Sequence, residues 1–105
     1  MNPLMNNTKW EELRRAMIDL DELSPQWRTK IMDSGYICNW DGEWFYHFKD
    51  GGYHDIEWVE IKITSSAQDA AVLETLKTIH VPGHRIEHGF RIYGYFKDGE
   101  FIDYI

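Results

Sequence analysis

The sequence has a single cysteine, three prolines and no long apolar run. Cys38 can close no disulfide within the chain, so nothing is stapled and nothing points to an oxidising compartment. The longest aliphatic stretch is Ala70-Ala71-Val72-Leu73, far short of the ~20 residues a membrane-spanning helix needs. No secretory leader pattern opens the chain, and the expected address is the cytoplasm. Positive charge is scarce as well. Eleven Lys and Arg stand against 18 Asp and Glu, a formal net charge of −7. A phosphate backbone wants a basic face, so nucleic acid is not an expected partner, and neither is a membrane. Gly94 and Gly99 have phosphate-loop spacing, but Glu100 stands where that loop needs lysine, and its carboxylate would repel phosphate. No nucleophile elbow, zincin helix or EF-hand loop appears, and no cofactor is expected.

What the chain has in quantity is aromatic side chains: 16 of its 105 residues are Phe, Trp or Tyr, and 43% are apolar. That is too much apolar surface for a disordered chain, and the length suits one domain with a core of its own. Residues 8–105 are expected to form that domain, with 1–7 as a disordered terminus. Thr8-Lys9-Trp10-Glu11 reads as a capping box opening a helix whose apolar stripe is Trp10, Leu13, Met17 and Leu20. From Gln26 the period becomes two: Trp27, Thr29 and Ile31 alternate with Arg28 and Lys30. Further strands are expected at Tyr36–Trp40 and Glu43–Phe48, joined by Asp41-Gly42, and from Tyr53 to Ile63. In the last of these Ile56 and Trp58 have the opposite parity to Val59, Ile61 and Ile63. Such a strand is either bulged or central and covered on both faces, and the second reading is preferred. Ser65 or Ser66 caps a second helix to about His80, and strands near 86–96 and 100–104 end the chain. The expected class is α+β: a mostly antiparallel sheet of five to six strands with two helices on one face, in the order α-β-β-β-β-α-β-β. Phe48-Lys49-Asp50-Gly51 recurs as Phe96-Lys97-Asp98-Gly99, which is explained by shared turn chemistry.

The residues that could carry chemistry are few. His80, His84 and His88 are spaced by four, but Pro82-Gly83 interrupts any helix between the first two. On a strand His84 and His88 would stand about 13 Å apart, too far to share one zinc. No metal site is expected. Cys38 with His47 would make a nucleophile and base only if the fold paired them, and a free cysteine is more often a small buried hydrophobe. Asp55 and Glu57 fall about 6.5 Å apart on one strand, a spacing that acid/base work and an ordinary solvated face both produce. No catalytic residue is assigned.

Charge distribution is more informative. Residues 1–40 and 61–105 are each near neutrality, six acids to five bases. Residues 41–60 hold Asp41, Glu43, Asp50, Asp55, Glu57 and Glu60 against Lys49 alone. The same window contains Trp44, Phe45, Tyr46, Phe48, Tyr53 and Trp58. Aromatic anchors among carboxylates suit a surface for a basic protein partner. Its expected residues are Asp41, Glu43, Trp44, Asp50, Tyr53, His54, Asp55, Glu57, Trp58 and Glu60. The plainer alternative is a sheet with one aromatic core face and one acidic solvated face.

The runs Trp27-Arg28-Thr29-Lys30, Gly35-Tyr36-Ile37-Cys38, Trp40–Phe48, Gly51-Gly52-Tyr53, Ile56–Ile61, His80-Val81-Pro82-Gly83 and Gly89–Tyr95 resemble those of a family of small uncharacterised bacterial proteins. The similarity extends from Asn6 to the C-terminus and implies no reaction and no catalytic residue. In size and charge the chain is also similar to bacterial immunity proteins, which neutralise toxins. The expectation is therefore a binding module that occludes the active site of a basic partner, such as a toxin or nuclease domain. The alternatives are a small enzyme or ligand-binding domain using Cys38, His47, His54 or the Asp55/Glu57 pair, and a homodimeric interaction subunit.

Overall fold

The computed structural model describes residues 1–105. Its elements run β1 (Asn2–Pro3), α1 (Asn7–Ile18), β2 (Gln26–Ile31), β3 (Ile56–Lys62), α2 (Ser66–Ile79), β4 (Gly83–Ile86), β5 (Gly89–Tyr93) and β6 (Tyr95–Phe96), with one 3-10 turn at Asp21–Leu23. Strands β2, β3, β5 and β4, in that spatial order, form an antiparallel sheet, and β1 pairs with β6 in a second, two-stranded one. This is the expected α+β class, with fewer sheet strands from the middle of the chain. No helix is long and apolar enough to cross a membrane.

Both helices pack on one face of the four-stranded sheet. Trp27 of β2, Val59 and Ile61 of β3, and Phe90 and Ile92 of β5 meet Trp10, Leu13 and Met17 of α1 and Val72, Leu76 and Ile79 of α2 in one buried cluster. The parity conflict in β3 has a local cause. Lys30 stands opposite Trp58 but Ile31 opposite Ile56, so Glu57 is an extra residue in the ladder, a bulge. It returns Ile56 to the core side with Val59 and Ile61, and leaves Trp58, Glu60 and Lys62 on the far face. The strand is also central, between β2 and β5, as its burial on both faces implied.

Several local expectations are corrected. Asn6, not Thr8, caps α1: its side-chain oxygen accepts the Lys9 N–H at 2.8 Å, and Asn is at least as good a cap as Thr. Glu11 is thereby freed from a capping box. In the first residues, expected to be disordered, Asn2 and Pro3 pair with Phe96 and Tyr95 and Met5 is buried. The expected strands at 36–40 and 43–48 are absent. Residues 32–55 instead touch the sheet through isolated bridges, Trp27 to Asp41 and Lys30 to Ile37. The expected strand over 86–96 is two shorter strands, the first paired with β4 through a turn at Glu87-His88. Residues 100–104 are irregular apart from a bridge of Tyr104 to Pro82. Ser65 caps α2 by accepting the Gln68 N–H, as the sequence suggested. Gly51 and Gly99, which end the two Phe-Lys-Asp-Gly runs, both have positive φ, the shared requirement of a tight turn.

Candidate functional site

The segment between β2 and β3, residues 32–55, coils over the edge of the sheet and the flank of α1. Three of its aromatic side chains are core: Trp44, Phe48 and Tyr53, the first two because they stand four residues apart in a run of turns and so share a side. Trp44 donates its indole N–H to the Pro25 carbonyl at 2.8 Å, and Phe48 packs on Trp27 and Trp10. Hydrogen bonds hold the run in shape. The Glu43 carboxylate accepts the backbone N–H groups of Phe45, Tyr46 and His47 at 2.9, 2.8 and 2.8 Å. Asp41 accepts the Glu43 N–H through one oxygen and lies 2.7 Å from His47 Nδ1 through the other. From α1 the buried Arg14 donates to the carbonyls of Trp44 and Phe45 at 3.3 and 3.1 Å. Arg14 is itself held by Glu11 at 2.6 Å, and Tyr53 donates its hydroxyl to the same Glu11.

This leaves other aromatics outside. Tyr36 is 61% exposed, Phe45 56% and Tyr46 72%, with Ile37 beside Tyr36 in sequence at 44%. The segment carries Asp33, Asp41, Glu43, Asp50 and Asp55 against Lys49. Tyr36, Cys38, His47, Asp50 and Asp55 line one shallow depression of about 230 Å³. Tyr46 adjoins it, sharing a second recess with His47 and Asp50.

The ten residues expected to form one acidic surface do not lie together. Trp44 and Tyr53 are in the core on the helix side. Trp58 and Glu60 are buried on the far face of the sheet, 6% and 1% exposed. Glu57 is turned to Lys30 at 3.3 Å. Asp41 and Glu43 are engaged by the segment's own backbone and His47. Only Asp50 and His54 are exposed, with Asp55 half-buried beside them. The missed residues are Tyr36, Phe45 and Tyr46. For Phe45 and Tyr46 the signal was positional, since they lie between Trp44 and Phe48 in a coil that buries both; Tyr36 had no such signal.

A second cluster also escaped the sequence reading. On the far face Glu60 accepts Arg28 Nε at 2.8 Å, and Arg91 Nε and Nη2 at 2.9 and 2.5 Å; His88 Nε2 is 3.2 Å away. Arg28 and Lys62 lie over the Trp40 ring, and Arg91 over Trp58. His80 is stacked on Tyr104 away from this cluster, and His84, at the β4 end of the Glu60 row, is tilted against Tyr93. The three histidines of the four-residue spacing therefore face three different surroundings.

A family described as of unknown function, DUF6678, matches residues 1–99. The chain belongs to that family. No curated protein and no solved structure matches it. The two clusters must therefore be read from their own geometry.

The electrostatics of the first cluster make a prediction. Hydrogen bonds from Arg14 and then Tyr53 hold the Glu11 carboxyl down at about 2, while burial and the Glu11 charge push the Tyr53 hydroxyl up to about 12. A depressed carboxyl stabilises the fold above its unfolded value and loses that contribution as pH falls through the folded one. Between pH ~4.5 and ~2 the loss of stability should accordingly be shallower in Glu11→Gln than in the parent, read as urea midpoint against pH. His47 works in the opposite sense. Its pKa is raised by Asp41, so its contact is strongest below the ordinary histidine range and fades as pH rises through the raised value.

Proposed function

We propose that the chain is a protein-binding module whose docking surface is the 32–55 segment, with Tyr36, Phe45 and Tyr46 as anchors and Asp33, Asp50 and Asp55 as the acidic rim. The observation that carries this reading is the exposure of those three aromatics on a segment fixed from within by Glu43 and Arg14. Large aromatic side chains held in place lose little entropy on binding and supply most of an interface's energy. Carboxylates around them select a basic partner and speed its approach. The form of module we infer is a bacterial, cytoplasmic immunity protein that covers the active site of a basic toxin such as a nuclease.

The test is capture of a partner from the native host, followed by rates. The captured protein is expected to be basic, and its association rate to fall steeply with added salt. Phe45→Ala with Tyr46→Ala should weaken capture by about tenfold or more, with the melting temperature near that of the parent because neither ring is buried. Asp50→Lys with Asp55→Lys should slow association. An acidic partner, or capture indifferent to both pairs of changes, removes this reading.

The enzyme alternative rests on Cys38 and His47 sharing one depression. Against it, the Cys38 sulfur accepts the Thr29 N–H at 3.3 Å, no hydrogen bond joins it to His47, and His47 Nδ1 is committed to Asp41. A thiol that alkylates at neutral pH no faster than free cysteine disposes of it.

A further inference from the structure

The far face of the four-stranded sheet carries no helix; Trp40 from the 32–55 segment lies on it against Arg28, Lys62 and His88, and the strand side chains stand in cross-strand rows. The ladder register places Arg28, Glu60, Arg91 and His84 in one row, and Lys30, Trp58 and Tyr93 in the next. Lys62 follows Glu60 on the same face. Arg28, Lys30, Lys62 and Arg91 thus outnumber Glu57 and Glu60, giving a local excess of positive charge on a chain whose net charge is −7. Glu60 is 1% exposed although no helix covers its face, because the two guanidinium groups lie across it. Those groups are each about a third exposed. Arg28 commits only Nε to Glu60, and Arg91 only Nε and Nη2. Neither Nη group of Arg28 is bonded to Glu60, whereas Arg91 also has the Tyr93 side chain as a hydrogen-bond partner. A buried carboxylate that orients two arginines side by side, and leaves the outer N–H groups of Arg28 free, prepares the pair for a second, external carboxylate or phosphate.

We propose that this sheet face docks an acidic segment of a protein partner, with Arg28 and Arg91 receiving its carboxylates and Lys30 and Lys62 flanking them. The occupant is set by charge complementarity and by the state of the rings. Single-stranded nucleic acid binds an open sheet by stacking bases on free aromatic faces. Here Arg28 and Lys62 cover Trp40 at 4.5 and 5.5 Å, Arg91 covers Trp58 at 4.5 Å, and His84 lies 5.5 Å from Tyr93. A local excess of two charges is also little against a phosphate strand approaching an acidic protein. Trp, Tyr and Arg together on a flat face are instead the composition of a protein interface. This surface shares Trp40 with the 32–55 segment but none of the anchors or rim carboxylates proposed there, so the proposal does not depend on the reading of that segment.

The test is fluorescence anisotropy at low salt with a labelled peptide of alternating Asp and Tyr, the same peptide with Asn for Asp, and an oligouridylate of matched charge. The full chain should bind the Asp peptide and not the Asn peptide. Lys30→Ala with Lys62→Ala, which leaves the Glu60 hydrogen bonds intact, should weaken binding by about fivefold or more, whereas Lys77→Ala on α2 should not. Thermal melts confirm that each variant is folded. No binding of the Asp peptide, equal weakening by Lys77→Ala, or preference for the oligouridylate overturns the proposal. So does light scattering that shows a salt-sensitive dimer displaced by the peptide, since the occupant would then be a second copy of this chain.

Discussion

Gly89→Ala is expected to leave the protein largely unfolded under conditions where the parent is native. Gly89 opens β5 opposite Lys62 of the central strand. A Cβ placed there would stand 1.8 Å from the Ile61 carbonyl oxygen and 2.9 Å from its carbon. Both are backbone atoms of β3, which is paired on its other edge with β2. Relief therefore requires moving the strand that carries Val59 and Ile61, both fully buried. No side-chain rotation helps. The cost should exceed ~4 kcal/mol, a large share of the ~5–15 kcal/mol that holds a domain of this size. Gly99 is the control. Its φ is +85°, but a Cβ at that position would meet nothing within 4 Å, so Gly99→Ala incurs only the left-handed backbone penalty of ~1–2 kcal/mol. Urea unfolding followed by tryptophan fluorescence separates the two. Equal midpoints would mean that β3 and β5 do not approach as closely as this register requires.

The sheet strands and helices that the sequence made legible are those where one physical signal had no competitor. Trp27, Thr29 and Ile31 alternate with Arg28 and Lys30, and β2 buries the first two of that set. Ser65 followed by the Val72, Leu76 and Ile79 stripe gives α2 in the same way. The 32–55 segment misleads because Trp44, Tyr46 and Phe48 satisfy two patterns at once. Alternate residues suggest a strand, but Trp44 and Phe48 are also four apart, the spacing of one helical turn. Glu43 decides between them by taking the N–H groups of Phe45, Tyr46 and His47, which a strand would have needed for its ladder. The local excess of acid was readable from order alone. Which aromatics faced outward was not, because that follows from the coil. The Glu60 cluster was hidden for a different reason: Arg28, Glu60 and Arg91 are far apart in the chain, and only the register of three strands aligns them.

That cluster gives the second large effect. Glu60→Gln keeps the shape of the side chain and removes its charge, so it isolates the ionic part of the interaction. Charge-assisted hydrogen bonds contribute roughly 1.5–3 kcal/mol each, and Glu60 accepts them from Arg28 and Arg91. The two guanidinium groups are each about a third exposed and recover water when the carboxylate is lost, so the terms do not add in full. The expected destabilisation is about 2–4 kcal/mol, below that of a fully sequestered ion pair. Its pH dependence has a definite sign. Burial pushes the Glu60 carboxyl up, but the hydrogen bonds and charges of Arg91 and Arg28 outweigh it and leave the pKa lowered. The contribution is therefore complete above the unfolded glutamate value of ~4.5 and is lost as pH falls through the depressed native value. The gap between parent and Glu60→Gln should be widest at neutral pH and close on acidification. Other carboxylates such as Glu11 titrate over the same range, but they do so in both proteins and cancel in the difference. A gap that stays constant from neutral pH into acid would show that Glu60 holds Arg28 and Arg91 by shape rather than by charge, and would take away the preorganised carboxylate receptor on which the sheet-face proposal depends.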